Sequence, residues 1–497
     1  MVDPPRHLSP VIDPAHRPES ALASRAATPL GAPRETVHRP ILGRGLIGLC
    51  TAGMLAGCPA ATPPPATTPP TSATPAEPTS PGPVAKTPSE PPSTETGDEE
   101  ESWLDSETAQ AEAKRILDEV AQARNLAVTG SVNVDVVSKQ GIREFAKDSM
   151  YDHTTPEHLQ MLGRVQASMG VIPRDADPEQ IILDMLEDGV AGFYDPKEKT
   201  LFIGDFVDKV TLSMVVGHEI AHGLQDMHFD LNKHQEPLLH RNDEESARRF
   251  LIEGGAQATY LAWVSGTMGL EAIDDAVLDA MGNQVLDMAD MVSPYPVLVR
   301  SLQLPYADGT ATVARLVRDK GWSAVDALYE RLPESTEQML HIDKLLAREA
   351  PIATKMDVGV LERIVPGAKL LWHDNLGEAE LLSMLAQAEP STVARRAAAG
   401  WGGDHYVAVN RQGDEAWDVP LVVGVIVWDS DRDAQEFEEV FRAYLEEEVP
   451  DHAIDRRGDE VLFATGIPPE LDASTLVSTA WKGVHTQNRR RRRRGRN

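Results

Sequence analysis

Cysteine is almost absent: the 497 residues hold two, Cys50 and Cys58, both inside one short apolar segment near the N-terminus. A disulfide framework in the remainder is thereby excluded, and so are zinc or iron–sulfur sites built on four thiolates. Any metal must be held by His, Asp and Glu. Basic charge is scarce as well: 47 Lys and Arg stand against 78 Asp and Glu, a formal net charge of −31, which argues against a nucleic-acid partner. Runs of apolar residues long enough for a multi-span membrane protein are missing, yet 41% hydrophobic residues allow two or three domains with real cores.

Proline is present in number but unevenly, with 21 of the 37 residues crowded into the first hundred positions, where composition rules out a globular fold. Within that region residues 41–58 form an apolar stretch preceded by Arg39 and interrupted by Arg44, too short and too rich in glycine to span a membrane stably. Its end, Leu55-Ala56-Gly57-Cys58, resembles a bacterial lipobox, in which signal peptidase cuts before a Cys bearing diacylglycerol. The resemblance implies a leader and lipoprotein signal peptide over residues 1–57, lipidation at Cys58, and an exported protein anchored to a bacterial membrane. Pro59 stands where an Asp would suggest inner-membrane retention, so the outer membrane is expected, facing the periplasm or the cell surface. The competing reading is a buried apolar helix with two chance cysteines. The Pro/Arg/Ala-rich stretch from Met1 to Thr36 exceeds what such a signal needs and suggests translation from Val37.

Residues 58–101, rich in Pro, Thr, Ala, Ser and Glu with the run Pro63-Pro64-Pro65, read as a disordered, semi-extended tether. An α+β protein is expected beyond it. Residues 102–365 should form a mainly helical domain with a small sheet: a helix from about Ser106 to Leu126, a strand over Val132 to Val137, and a hairpin in which Gly192-Phe193-Tyr194 and Thr200 to Ile203 flank Asp195-Pro196-Lys197-Glu198. A smaller α+β domain is expected over 366–484, with strands at Tyr406 to Val409, Leu421 to Trp428 and Val461 to Ala464 and a helix capped by Ser430. Residues 485–497 carry seven arginines and read as a disordered tail solvated by an acidic chain, ahead of a polyanion-binding arm.

The chemistry centres on Gly217-His218-Glu219-Ile220-Ala221-His222, an HExxH sequence following the apolar Leu212, Met214, Val215 and Val216. On a helix the two imidazoles lie about 40° apart and roughly one turn along the axis, the spacing that two nitrogen ligands of one zinc need. Glu219 lies beside them, placed to take a proton from a water activated by the ion. For the third ligand His228 stands ten residues after His218, as in HExxHxxGxxH, but Gln225 occupies the position of the Gly that would turn the chain back. Glu244 and Glu245 fall in a polar run. Glu253, in Leu251-Ile252-Glu253-Gly254-Gly255-Ala256, is embedded among apolar and small residues, where a lone carboxylate is costly, and is the candidate; pairing with Arg248 or Arg249 is the competing reading. Two His and one Glu leave an open position for one Zn2+ per chain, the gluzincin arrangement. Asp226, four residues past His222, can orient that histidine or simply be a surface Asp.

Together these residues resemble a family of bacterial, often lipoprotein-anchored, zincin-like proteins assigned by motif as metallopeptidases. The family motifs read here as His218 through Leu231, Glu253-Gly254-Gly255-Ala256, Pro333-Glu334-Ser335-Thr336-Glu337-Gln338-Met339-Leu340-His341 and Gly400-Trp401-Gly402-Gly403-Asp404, spanning most of 180–480. Gly223, Met227 and Gly255 depart from the family pattern, the last replacing a common Asp. The resemblance implies a zinc peptidase-like fold. In zincins an edge strand beside the HExxH helix pairs with extended peptide, and Leu201 to Ile203 is the candidate edge. His341 is the candidate oxyanion donor or substrate clamp, against simple helix capping by Ser335, and Gly400 to Asp404 reads as a tight turn. The expectation is a zinc metallopeptidase of the cell envelope acting on peptide or protein. Its rivals are a non-catalytic zincin-fold lipoprotein serving binding or assembly, and a zinc amidohydrolase acting on cell-wall material.

Overall fold

The computed structural model describes residues 49–51, 104–413 and 416–487. Cys58, the tether and the arginine tail lie outside them. Among the described residues no helix is long and apolar enough to cross a membrane. A short strand β1 (Leu49–Thr51) is followed by α1 (Ser106–Arg124), whose N-cap Asp105 accepts the Thr108 amide at 2.7 Å and whose end is marked by Asn125 in the left-handed region at φ 58°. Then come β2 (Asn133–Val137), α2 (Lys139–Tyr151), α3 (Pro156–Ser168) and α4 (Pro178–Gly189). The last two open on proline, which at a helix start gives up no hydrogen bond.

The expected hairpin is present as β3 (Val190–Asp195) and β4 (Thr200–Gly204), paired antiparallel with Phe193 opposite Phe202. Asp195 Oδ1 accepts the Lys197 amide at 2.8 Å and Lys199 takes φ 54°, which closes the turn. The sheet order is β1-β3-β4-β2, with β2 running parallel to β4. The Leu201 to Ile203 strand is therefore interior, and the edge role expected of it is overturned: β2 occupies that flank.

Next is α5 (Lys209–Phe229), the HExxH helix, whose cap Asp208 accepts the amides of Val210 and Thr211 at 2.8 and 3.1 Å. One turn, α6 (Leu231–His234), leads towards α7 (Asn242–Val264), which carries Glu253. The helices α8 (Asp275–Val292), α9 (Pro296–Lys320), α10 (Trp322–Glu330), α11 (Thr336–Leu340) and α12 (Ile342–Ala347) complete the helical region. Glycines set the approach of α7 to α9. A Cβ on Gly254 would stand 2.2 Å from the Gly309 carbonyl carbon, and one on Gly309 would stand 2.4 Å from the Phe250 oxygen, so the two backbones touch.

The remainder comprises β5 (Thr354–Met356), β6 (Lys369–Asp374), α13 (Glu378–Ala388), α14 (Ser391–Ala398), β7 (Trp401–Asn410), β8 (Leu421–Trp428), α15 (Asp431–Glu448), β9 (Ala453–Arg457), β10 (Glu460–Thr465), α16 (Ala473–Ala480) and β11 (Val484–Thr486). Five strands form an antiparallel sheet of order β6-β7-β8-β10-β9, so the α+β expectation holds. Its two faces are both covered. Val422, Ile426 and Trp428 pack on the side of α13 and α15, while Leu421, Val423 and Val425 face Met356, Leu361 and Leu476. The first of these clusters continues without a break to Phe250, Leu304 and Leu328 of the helical region. Of Gly400 to Asp404, expected as a tight turn, Trp401 to Asp404 instead open β7 with a register shift between Trp401 and Gly403. A Cβ on Gly403 would meet the Ile352 oxygen at 2.3 Å.

Gly254→Ala tests the α7–α9 contact by its sign. Helix propensity alone would stabilise the variant by about 1 kcal/mol, whereas forcing apart two backbones costs about 1–3 kcal/mol or more. A lower urea midpoint is expected; an unchanged or raised midpoint would contradict the contact.

Candidate metal centre

Helix α5 delivers His218 and His222 to one face, and α7 lays Glu253 against them. His222 Nε2 stands 3.1 Å from His218 Nε2 and 3.1 Å from Glu253 Oε2, and His218 Nε2 lies 3.5 Å from the same oxygen. All three residues are at most 1% exposed. Glu253 Oε1 is buried with no hydrogen-bond partner. The three form a group that can hold a metal ion.

The far sides of the imidazoles fix their tautomers. Gln225 donates from Nε2 to the Ile252 carbonyl at 3.0 Å, which turns its Oε1 towards His222 Nδ1 at 3.0 Å. Gln257 Oε1 lies 2.9 Å from His218 Nδ1. Each Nδ1–H thus donates to an amide oxygen, which leaves Nε2 as the atom that each ring turns to the centre. Burial, ahead of the opposing pull of Glu253, lowers the His218 pKa and keeps this ring neutral. For Glu253 burial raises the pKa, but the two histidines outweigh it and the net shift is downward, towards the carboxylate. Three such atoms approach this closely only with a proton or a cation shared among them, and a metal ion can take that place.

Sequence reasoning had named Gln225 only as a missing helix breaker and had passed over Gln257. Their spacing carried a signal: Gln225 is three residues after His222, and Gln257 four after Glu253, each on the face of its ligand. Gly255 belongs with them, because a Cβ there would meet Gln225 Nε2 at 2.7 Å, so the Asp of the pattern this segment resembles would have to displace that amide. Tyr306 of α9 was also missed. Its ring lies 5.7 Å from the His218 ring at 30°.

Glu219 is fully buried in the turn between the two histidines. Asp226 does not orient His222. Its Oδ2 accepts the Tyr194 hydroxyl at 2.9 Å and the Lys199 ammonium, and its Oδ1 accepts the Leu231 amide at 3.0 Å, so it ties α5 to the β3–β4 hairpin. His228 bonds the Ala127 carbonyl at 2.7 Å, Glu244 pairs with Arg241 and Arg248, and Glu245 accepts the Leu238 amide at 2.8 Å. None of these joins the centre.

Nor does the structure bring His341 to it. His341 Nε2 bonds Glu378 Oε1 at 2.7 Å, and that carboxylate raises the His341 pKa. The same network includes Asp243, which accepts the Thr336 amide at 2.9 Å, and Thr336 Oγ1, which accepts the Ala379 amide at 3.1 Å. Asp243 is ten residues before Glu253, about 15 Å along α7. The capping reading of the neighbouring motif is met, since Ser335 Oγ accepts the Gln338 amide at 3.4 Å. Asp404 accepts the amides of Leu376 and Gly377 at 2.7 and 2.9 Å, ahead of α13. Both motifs therefore fasten the start of α7 to α11 and α13.

Gln225→Ala and Gln257→Ala should each weaken metal retention by about 10–100-fold while the chain stays folded. The readout is the chelator concentration that removes half the bound ion. Retention equal to wild type would contradict an orienting role for the amides.

Residues 369–480 match a family described as a domain of unknown function (DUF8575), a match confined to β6 through α16 and outside the histidine pair. No curated protein and no solved structure matches the chain.

Proposed function

We propose that this chain is a zinc-dependent metallopeptidase of the bacterial cell envelope, with a zincin-like arrangement of helix α5 beside the small sheet. The observation that carries the reading is the triangle of two imidazole nitrogens and one carboxylate oxygen with sides of 3.1, 3.1 and 3.5 Å. Around an ion with bonds near 2.05 Å, a tetrahedral edge is about 3.3 Å, so the donor set fits Zn2+ and leaves a fourth position open. Bound zinc would supply a Lewis acid that acidifies water and polarises a carbonyl.

The chain's own residues divide the remaining work. His218, His222 and Glu253 hold the ion; Gln225 and Gln257 keep the imidazoles in the ligating tautomer. Glu219, buried beside them, takes the proton of the attacking water and passes it to the departing amine. The lipobox-like sequence ending in Cys58 supports export and lipid anchoring, and the family resemblance supports a zinc peptidase-like fold without naming a substrate.

A second reading, a zincin-fold lipoprotein that binds or assembles without turnover, is favoured by the burial of all four residues at 0 to 1% exposure. One experiment separates the two. Glu219→Gln should retain the zinc of wild type and lose about 10²–10⁴-fold of peptide-library hydrolysis. Full hydrolysis by that variant would overturn the assignment of Glu219. A zinc-loaded wild type that cleaves no peptide would install the second reading.

A further inference from the structure

A cavity of about 190 Å³ lies on the N-terminal side of the Gly254–Gly309 contact, where α7 and α9 are joined by α3, α4, β6 and α13. Its walls are largely apolar, with Leu159, Ile181, Phe250, Leu298 and Trp372 among them. One cation is set in this wall. Arg249 is 9% exposed, and its Nε is buried with no hydrogen-bond partner. It stands one turn before Glu253, about 6 Å along α7. Its neighbour Arg248 turns instead to Glu244 at 2.9 Å.

A guanidinium buried short of acceptors is costly, and the acidic groups in the same wall are already engaged. Glu245 accepts the Leu238 amide at 2.8 Å, Glu380 accepts the Ser301 hydroxyl at 2.7 Å, and Asp374 accepts the amides of Asn242 and Asn375 at 3.0 and 2.9 Å. Burial raises all three carboxyls, Asp374 to about 7, so they are shifted towards the neutral form that tolerates an incoming anion. Glu245 and Glu380 feel the Arg249 charge, which lowers both against the larger effect of burial, yet their hydrogen bonds go to Leu238 and Ser301, and Arg249 Nε has no acceptor.

We propose that this cavity binds an amphipathic monocarboxylate, with its carboxylate on the Arg249 guanidinium and its apolar body among the side chains of α3, α4 and α9. A cavity of about 150 Å³ holds one benzene, so the space here suits an aromatic ring or a chain of roughly six to eight carbons. A carboxylate can take two parallel N–H donors from a guanidinium, which a hydroxyl headgroup cannot. The site is separate from the metal centre and does not rest on peptidase activity.

The test uses the full chain with octanoate, and with 1-octanol as the probe that lacks the charged head, in calorimetric titration and thermal unfolding. Octanoate should bind saturably at one per chain, more tightly than octanol, and raise the melting temperature. Arg249→Met should weaken octanoate at least tenfold and leave octanol unchanged. Leu298→Trp, which fills the space from α9, should abolish both while the zinc content stays at the wild-type level. Absence of saturable octanoate binding to folded wild type overturns the proposal, as does equal affinity of the two probes. Should Arg249→Met fail to fold, the wild-type comparison of the two probes and Leu298→Trp still decide.

Discussion

Three donor atoms, His218 Nε2, His222 Nε2 and Glu253 Oε2, are packed within 3.5 Å of one another on residues no more than 1% exposed. Such an approach needs a proton or a cation shared among the three atoms, and the surrounding structure holds them at that distance. Much of the helical region can be understood as that holding frame. Two glutamine amides grip the imidazoles from behind, and one of them also grips the helix carrying the carboxylate. Gly254 lets α9 press against that helix, and Gly255 leaves the space that Gln225 fills.

The axial position of α7 is fixed at its other end. Asp243 is fully buried there, and burial raises its carboxyl to about 8, the Thr336 bonds opposing the shift. Thr336, Glu378 with His341, and Asp404 surround the same helix start, and they come from α11, α13 and β7. The domain-of-unknown-function segment thus connects to the His218, His222 and Glu253 cluster through the helix that carries Glu253. Its sheet shares one apolar cluster with α7 and α9, so displacement of one would disturb the other.

Local spacing made the centre legible in the sequence. His218 and His222 are one turn apart, and a Glu among Leu251, Ile252 and Ala256 announces a buried carboxylate that needs a partner. The helices from Ser106 and Asp431 and the β3–β4 hairpin were readable from periodicity, caps and turn residues. What depends on distant partners was not. Whether Leu201 to Ile203 lies at an edge is decided by β2, some 65 residues earlier by the register Val134 to Leu201. His341 sat in a polar cluster suited equally to chemistry and to fastening, and only Glu378 distinguishes them. The glycines of Gly400 to Asp404 suggested a turn, whereas Gly403 serves a close approach to Ile352 within a strand. Gln225 and Gln257 read as ordinary polar helix positions until their ligands are seen.

The most direct test of the account is the metal content of the purified chain by mass spectrometry, with Glu253→Ala measured beside wild type. The account predicts close to one zinc per wild-type chain and a large loss in Glu253→Ala, with both proteins folded by circular dichroism. A folded wild type that takes up no zinc when it is supplied, or a Glu253→Ala chain that binds zinc as tightly as wild type, would contradict it.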